Sequence, residues 1–294
     1  MADTSALDRT LATLDKLIPP RFRTDIPVVP VVRLSGVIGI STPLKPGLTV
    51  ASVARSLDRA FSTSKACAVA LAINSPGGSA AQSHLIYRRI RQLAAEKKIP
   101  VIAFIEDVGA SGGYMIACAA DEIVADASSI VCSIGVVGGS FGLHKMIEKL
   151  GIERRLYTSG EHKAMLDPFL PEDPEDVKRL KKIQEEIHTS FIALVKERRA
   201  GKLSGPEKDL FSGEYWTGAR SRELGLVDSI GDLRSVLRER YGDKVRTPLI
   251  AERGLFGRRV PGVSALDLLR GGPDLAEDVI SALEARAIWA RYGL

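Results

Sequence analysis

Ala68-Val-Ala-Leu-Ala-Ile73 runs without interruption into Asn74-Ser-Pro-Gly-Gly-Ser79. Unbroken apolar residues cannot alternate between core and solvent. The run therefore predicts a strand buried on both faces, as inside a parallel sheet covered by helices. The arrangement returns in Val101-Ile-Ala-Phe-Ile105, which precedes Gly109-Ala-Ser-Gly-Gly113. Between them Gly78–Lys97 carries a helical pattern, which makes the stretch a β–α–β unit with a right-handed crossover. Consecutive strands of a parallel sheet end at the same edge. Both glycine-rich turns should lie there, where such folds bind ligands.

The alternation extends outward in both directions. Val28–Ile40 is β-rich and Ser52–Phe61 helical; Ser111–Ala120 reads as a short helix of small residues. Asp121–Val137 predicts two short strands, Phe141–Leu150 a helix and Arg154–Thr158 a strand. The fold class is α/β with a mainly parallel sheet. From Pro174 to about Arg199 a long charged helix carries one apolar stripe, Val177, Leu180, Ile183, Ile187, Phe191 and Leu194. Shorter helices are expected over 214–241. A linker around Gly254-Leu-Phe-Gly-Arg-Arg259 and a helix over Asp274–Tyr292 follow. At the other end, residues 3–18 form an amphipathic pattern (Leu7, Leu11, Leu14, Leu17, Ile18) that Pro19-Pro20 stops. It reads as a helix docked on its own domain or on a neighbouring subunit, with an interfacial membrane helix as the alternative.

Composition narrows the function classes. The chain has 294 residues, 45% of them hydrophobic, enough for a sizeable core. Its net charge of +5, from 41 basic and 36 acidic residues, is too small to argue nucleic-acid binding. Cys67, Cys118 and Cys132 form no CxxC pair and sit in apolar company, as reduced core thiols do. No apolar run approaches the roughly 18 residues of a membrane span, and no secretory signal is visible. A cytoplasmic protein is expected. The four histidines show no paired metal-ligand spacing, and no phosphate loop of Walker type occurs, so no metal or cofactor is expected.

The chemistry gathers at the two turns. Each leads into a helix N-terminus, whose free N–H groups and positive dipole end favour an anion. Facing one another, they would form an oxyanion hole with Ser111 beside it as nucleophile. Gly109-Ala-Ser-Gly-Gly113 also fits the G-x-S-x-G elbow, but a hydrolase triad needs a late histidine loop. Only His144, His162 and His188 follow Ser111, the last within the long helix. A lysine base is the other way to activate serine. Thr158-Ser-Gly-Glu-His-Lys163 is a polar loop that could carry one. Lysine acts as a base only when neutral, which requires lowering its pKa from about 10.4 by roughly 3 units through burial or nearby positive charge. Residue chemistry alone does not single out Lys163.

Taken in order, Asn74-Ser-Pro-Gly-Gly78, Gly109-Ala-Ser-Gly-Gly-Tyr114, Ser133-Ile-Gly-Val136, Ser159-Gly-Glu-His-Lys163 and Gly218-Ala-Arg-Ser-Arg-Glu-Leu-Gly-Leu-Val-Asp228 resemble the signal peptide peptidase A family. These are Ser–Lys serine peptidases of the Clp-protease/crotonase superfamily, and the resemblance runs from about Val31 to Leu233. It implies repeated ββα/βαβ units, Ser111 as nucleophile, Lys163 as general base, and an oxyanion hole from the amides of Gly78 and Gly112. It implies that Ser133, Ile134, Gly135 and Val136 pair with an extended peptide or protein substrate by strand addition, and that Ser159 orients Lys163. It further implies a homo-oligomeric ring in which Lys163 can reach the serine of an adjacent subunit. A glycine usual before the Ser-Ile-Gly-Val block is Cys132 here. Lacking an anchor or export signal, the chain is expected to act on signal-peptide-like or other apolar peptides in the cytoplasm or peripherally at the cytoplasmic membrane face. The division that follows is 1–26 N-terminal helix and linker, 27–245 peptidase domain, and 246–294 linker and helical tail. The tail has no family anchor; assembly, covering the groove and entering a catalytic site as a product mimic are its candidate roles. Two other functions are compatible with the fold: a crotonase-like acyl-CoA enzyme, which needs an acidic base and no serine, and a non-catalytic assembly or adaptor protein.

Overall fold

The computed structural model describes residues 26–40, 47–250 and 275–293. The helix expected over 3–18 and the linker around Gly254–Arg259 lie outside them.

The decisive run becomes β2 (Val69–Ser75). It lies between β1 (Val31–Ser35) and β3 (Val101–Ala110), parallel to both. Beyond β3 come β4 (Glu122–Ala125) and β7 (Ser229–Ile230), giving the order β1-β2-β3-β4-β7. Helices α1 (Val50–Phe61), α2 (Ala80–Lys97) and α3 (Gly112–Ala117) connect the strands. The alternation of side chains explains why β2 is apolar throughout. Leu71 and Ile73 join Leu57, Phe61, Ile86 and Ile90 in the larger core on one face. Ala70 and Ala72 meet Ile102, Phe104 and Leu237 in a smaller core on the other. Bulky residues thus face several helices, and small ones face α8 (Leu233–Tyr241). Each buried Leu or Ile contributes about 2 kcal/mol relative to exposure.

Local chemistry fixes the helix starts. Thr49 and Ser52 form a reciprocal capping box on α1. Ser79 Oγ accepts from Gln82 N to cap α2. Asp173 followed by Pro174 opens α5 (Pro174–Arg198).

β3 changes partners along its length, and this change carries the chain towards Ser111. Its first half pairs with β4, Ile102–Ile105 against Glu122–Ala125. Its second half, Val108–Ala110, pairs with β5 (Ile130–Cys132). Ser129 holds the branch point, its hydroxyl donating to the carbonyls of Ile105 and Glu106. On its other side β5 pairs antiparallel with β6 (Tyr215–Thr217).

Three expectations need correction. Arg154–Thr158 is not a strand: it is exposed and pairs with nothing in the sheet, while Arg154 is tied to Asp167 at 2.7 Å. The helix expected over Phe141–Leu150 is confined to α4 (His144–Lys149), which has no buried residue. The 214–241 region holds β6 and β7 among α7 (Gly218–Glu223) and α8. Strands of two or three residues are too short to leave a period in a sequence. Preceding them is α6 (Glu207–Leu210), and the last element is α9 (Leu275–Ala290).

Candidate active site

The two glycine-rich turns meet at one edge of the sheet, brought there by the pairing of Ser75 with Gly109. They touch. A Cβ built on Gly77 would lie 2.7 Å from Ser111 Cβ and 2.9 Å from the Gly112 nitrogen. At Gly78, φ is +139° and a Cβ would lie 2.2 Å from the Ile38 carbonyl oxygen. Gly112 packs so tightly on α2 that its Cβ would fall 2.2 Å from Ser83 Oγ. No side chain fits at these positions without displacing backbone or a buried hydroxyl. Sequence reasoning missed Gly77, although the doubled glycine of Pro76-Gly-Gly78 was its signal.

Ser111 is half-buried at the junction of β3 and α3, with φ +51° and ψ −121°. A non-glycine residue holds such a conformation only where its surroundings enforce it. Here its N–H donates to the Cys132 carbonyl at 2.6 Å, and its own carbonyl accepts from Met115 N. The acceptor strand is itself wrung: Cys132 has φ +92° and Ser133 φ +56°. The unusual cysteine thus occupies a backbone conformation that suits glycine. Burial pushes its thiol well above the ordinary range.

Among the described residues, the amides of Gly78 and Gly112 donate no hydrogen bond. The Gly78 amide is left over because the neighbouring bonds on that strand run from Ile38 N to Gly77 O and from Ser79 N to Ile38 O. The Gly112 amide is left over because it opens a helix. Two free donors on touching turns, next to a hydroxyl in an enforced conformation, have the chemistry to hold a negative oxygen during acyl transfer.

The Ser133–Val136 segment continues β5 past the end of its ladder with β3. Ser133 N donates to Glu214 O, and its hydroxyl to Gly213 O at 3.1 Å. Ile134 is buried, and Gly135 and Val136 are half-buried. His188 Nε2 of α5 donates to the Ile134 carbonyl at 3.1 Å, so the long helix anchors this segment. Nothing in the periodicity of that helix marks His188 for the task.

Lys163 and Ser159 belong to neither of the two turns. Both are exposed, in the stretch that joins Val136 to α5 and holds α4. Within the single chain neither hydrogen-bonds Ser111. The same stretch exposes Phe141 (83%), Leu150 (65%) and Tyr157 (90%) to solvent.

The Gly225-Leu-Val-Asp228 motif braces α3 from behind. Tyr114 OH donates to the Leu226 carbonyl at 2.7 Å. The nearly inaccessible Arg199 donates to the Gly225 carbonyl and, at 2.7 Å, to Asp228 Oδ2. Burial alone would raise the Asp228 carboxyl, but donors from Arg199 and Lys202 hold it below its ordinary value. Burial pushes Tyr114 upward, and the Cys118 thiol to about 12.

The model of peptidase family S49 matches residues 94–244, just over half of the chain. The chain belongs to that family. It is 33% identical over 208 residues to the chloroplastic serine protease SPPA of Arabidopsis thaliana, covering 69% of this chain and 30% of that one. Over 287 residues it is 54% identical to proteins of Brucella abortus and Brucella melitensis named Na(+)/H(+) antiporter NhaA. The match takes in 96% of this chain but spans only 39% of the length of those relatives. Among the described residues no helix is long and apolar enough to cross a membrane. The solved structure of a serine-to-alanine mutant of the membrane-bound stomatin-specific protease 1510-N aligns with 80% of this chain and 92% of its own, at 19% identity and a TM-score of 0.44.

Proposed function

We propose that this chain is a serine endopeptidase acting through an acyl-enzyme, with Ser111 as nucleophile and Lys163 as general base. One observation carries the reading: Ser111 is held at φ +51° beside the unbonded amides of Gly78 and Gly112. As Ser111 Oγ bonds to the scissile carbonyl carbon, its proton passes to Lys163 Nζ while the two amides hold the oxyanion. The leaving amine takes that proton as the C–N bond breaks. Water then attacks the ester, giving a proton to the same nitrogen, and the proton returns to Ser111 Oγ as the acid departs.

The base must be neutral, which burial would favour, yet Lys163 is exposed in the single chain. Assembly supplies the burial. The exposed apolar residues Phe141, Leu150 and Tyr157 precede Lys163 in sequence, and burying such a surface drives association. We place Lys163 against the serine of an adjacent copy in a homo-oligomeric ring, with Ser159 orienting it. Substrates are extended peptides with small or apolar side chains, adding as a strand to Ser133–Val136. The unpaired thiols support a reducing, cytoplasmic setting, with peripheral contact at the membrane face.

Ser111→Ala and Lys163→Ala are each expected to lower peptide-ester hydrolysis by at least about 10³-fold without changing the thermal midpoint. Undiminished hydrolysis in either variant contradicts the assignment.

A further inference from the structure

Ser75 is wholly buried at the end of β2, two residues before Gly77, and the proposed reaction gives its hydroxyl no task. That hydroxyl donates to the Gly36 carbonyl at 2.7 Å and accepts from the Gly77 amide at 3.3 Å.

The neighbouring ladder explains both bonds. Past β1 the chain runs on beside the Asn74–Ser79 turn: Gly36 N donates to Asn74 O, Ile38 N to Gly77 O, and Ser79 N to Ile38 O. In a regular parallel ladder the Gly36 carbonyl would accept from the amide of residue 76. Residue 76 is proline and has no N–H. Ser75 Oγ supplies the missing donor.

The register slips at the same place. Ser35 pairs with Asn74, which sets Gly36 opposite Ser75, yet Ile38 lies opposite Gly78. Pro76-Gly77 therefore contains one residue more than the facing strand, a bulge. Without it Ile38 would face Gly77, and the Ile38 carbonyl would accept from Gly78 N. With it that carbonyl accepts from Ser79 N, and Gly78 N is released.

We propose that Ser75 is a positioning residue for the oxyanion hole: by standing in for the amide that Pro76 lacks and holding the amide of Gly77, its hydroxyl fixes the bulge that keeps the Gly78 N–H free for the substrate oxygen. The proposal rests on the peptidase reading of the site. Ser75 touches no reacting atom and acts only through the turn. The glycines make room for the turn, and Ser75 sets its register.

Kinetics counted per reactive serine separate positioning from stability. With active sites titrated by a fluorophosphonate, Ser75→Ala is expected to lower kcat for a peptide ester by on the order of 10- to 100-fold, with KM changed by less than about twofold. A peptide boronate, whose tetrahedral adduct presents an oxygen to the two amides, should bind more weakly by the same factor. The uncleaved peptide amide should bind equally well to Ser111→Ala chains with and without Ser75→Ala. Ser75→Thr keeps the hydroxyl and should regain most of the kcat. Ser75→Cys, close to serine in size but a weak donor, should behave as Ser75→Ala does and replaces it if the alanine variant does not fold. Unchanged kcat and boronate affinity overturn the proposal. So does a loss that vanishes when counted per active site, or one that weakens boronate and amide alike, since either makes Ser75 a residue of stability alone. A parent chain that neither hydrolyses the ester nor binds the boronate defeats the peptidase reading, and this proposal with it; an active parent with an unaffected Ser75→Ala chain defeats this proposal only.

Discussion

Ser111, Cys132 and Ser133 take up positive φ within one hydrogen bond of each other. Conformations of this kind cost about 1–3 kcal/mol each and persist only where surrounding structure over-determines them. That structure is the glycine contact network. Gly77 leaves room for Ser111, Gly78 for the Ile38 carbonyl and Gly112 for Ser83. Gly78→Ala is therefore expected to reduce kcat by on the order of 10²-fold, because the added methyl cannot enter without moving an amide proposed to hold the oxyanion. Steady-state kinetics beside a circular-dichroism melt checks this, and an unchanged kcat contradicts it. The glycine turns were legible because Gly-Gly after a buried strand has few other uses. The enforced conformation of Ser111 was not, because it depends on a bond to Cys132, which is remote in sequence.

At the scale of elements, buried runs and helical periods announced β2, β3, α1, α2 and α5, whose patterns extend over several turns or alternations. β6 and β7 were silent because they are held by neighbours rather than by patterning. Arg154–Thr158 misled because a short apolar–polar mixture reads the same whether it pairs or hangs in solvent. The Gly225–Asp228 motif was visible as a string of letters, but its task appears only with α3 and α5 in place. Asp228 there neutralises Arg199, whose side chain is 3% exposed. Asp228→Ala should destabilise the fold by about 3 kcal/mol, since it strands a buried guanidinium. The Asp228 carboxyl is held below its ordinary value in the folded chain. The stability it supplies is accordingly complete above the unfolded value of about 3.9, and is lost as pH falls through the lower folded value. Denaturant melts of the parent and Asp228→Asn between about pH 7 and pH 3 should draw together as pH falls below about 4. A constant gap across that range contradicts the linkage.

The molecule as a whole holds Ser111, the proposed nucleophile, in an enforced setting and Lys163, its proposed base, exposed in the single chain. Lys163 came from the order of the sequence blocks; whether it meets Ser111 within one chain or across two could not come from them, because blocks carry no quaternary geometry. If neighbouring copies complete the site, Ser111→Ala and Lys163→Ala chains, mixed after dissociation and reassembly, should regain activity. Mixed rings retain only some intact pairs, so recovery to about one quarter of the parent is expected for random pairing. Verified subunit exchange with no recovery places the pair within one chain instead.

A serine peptidase of this kind requires an activated hydroxyl at residue 111. A fluorophosphonate probe, followed by proteolytic mapping of the adduct by mass spectrometry, examines that directly. A single adduct on Ser111 of the assembled protein is expected, formed faster as pH rises and strongly slowed by Lys163→Ala. An assembled, folded protein that acquires no adduct, or acquires it on another residue, contradicts it.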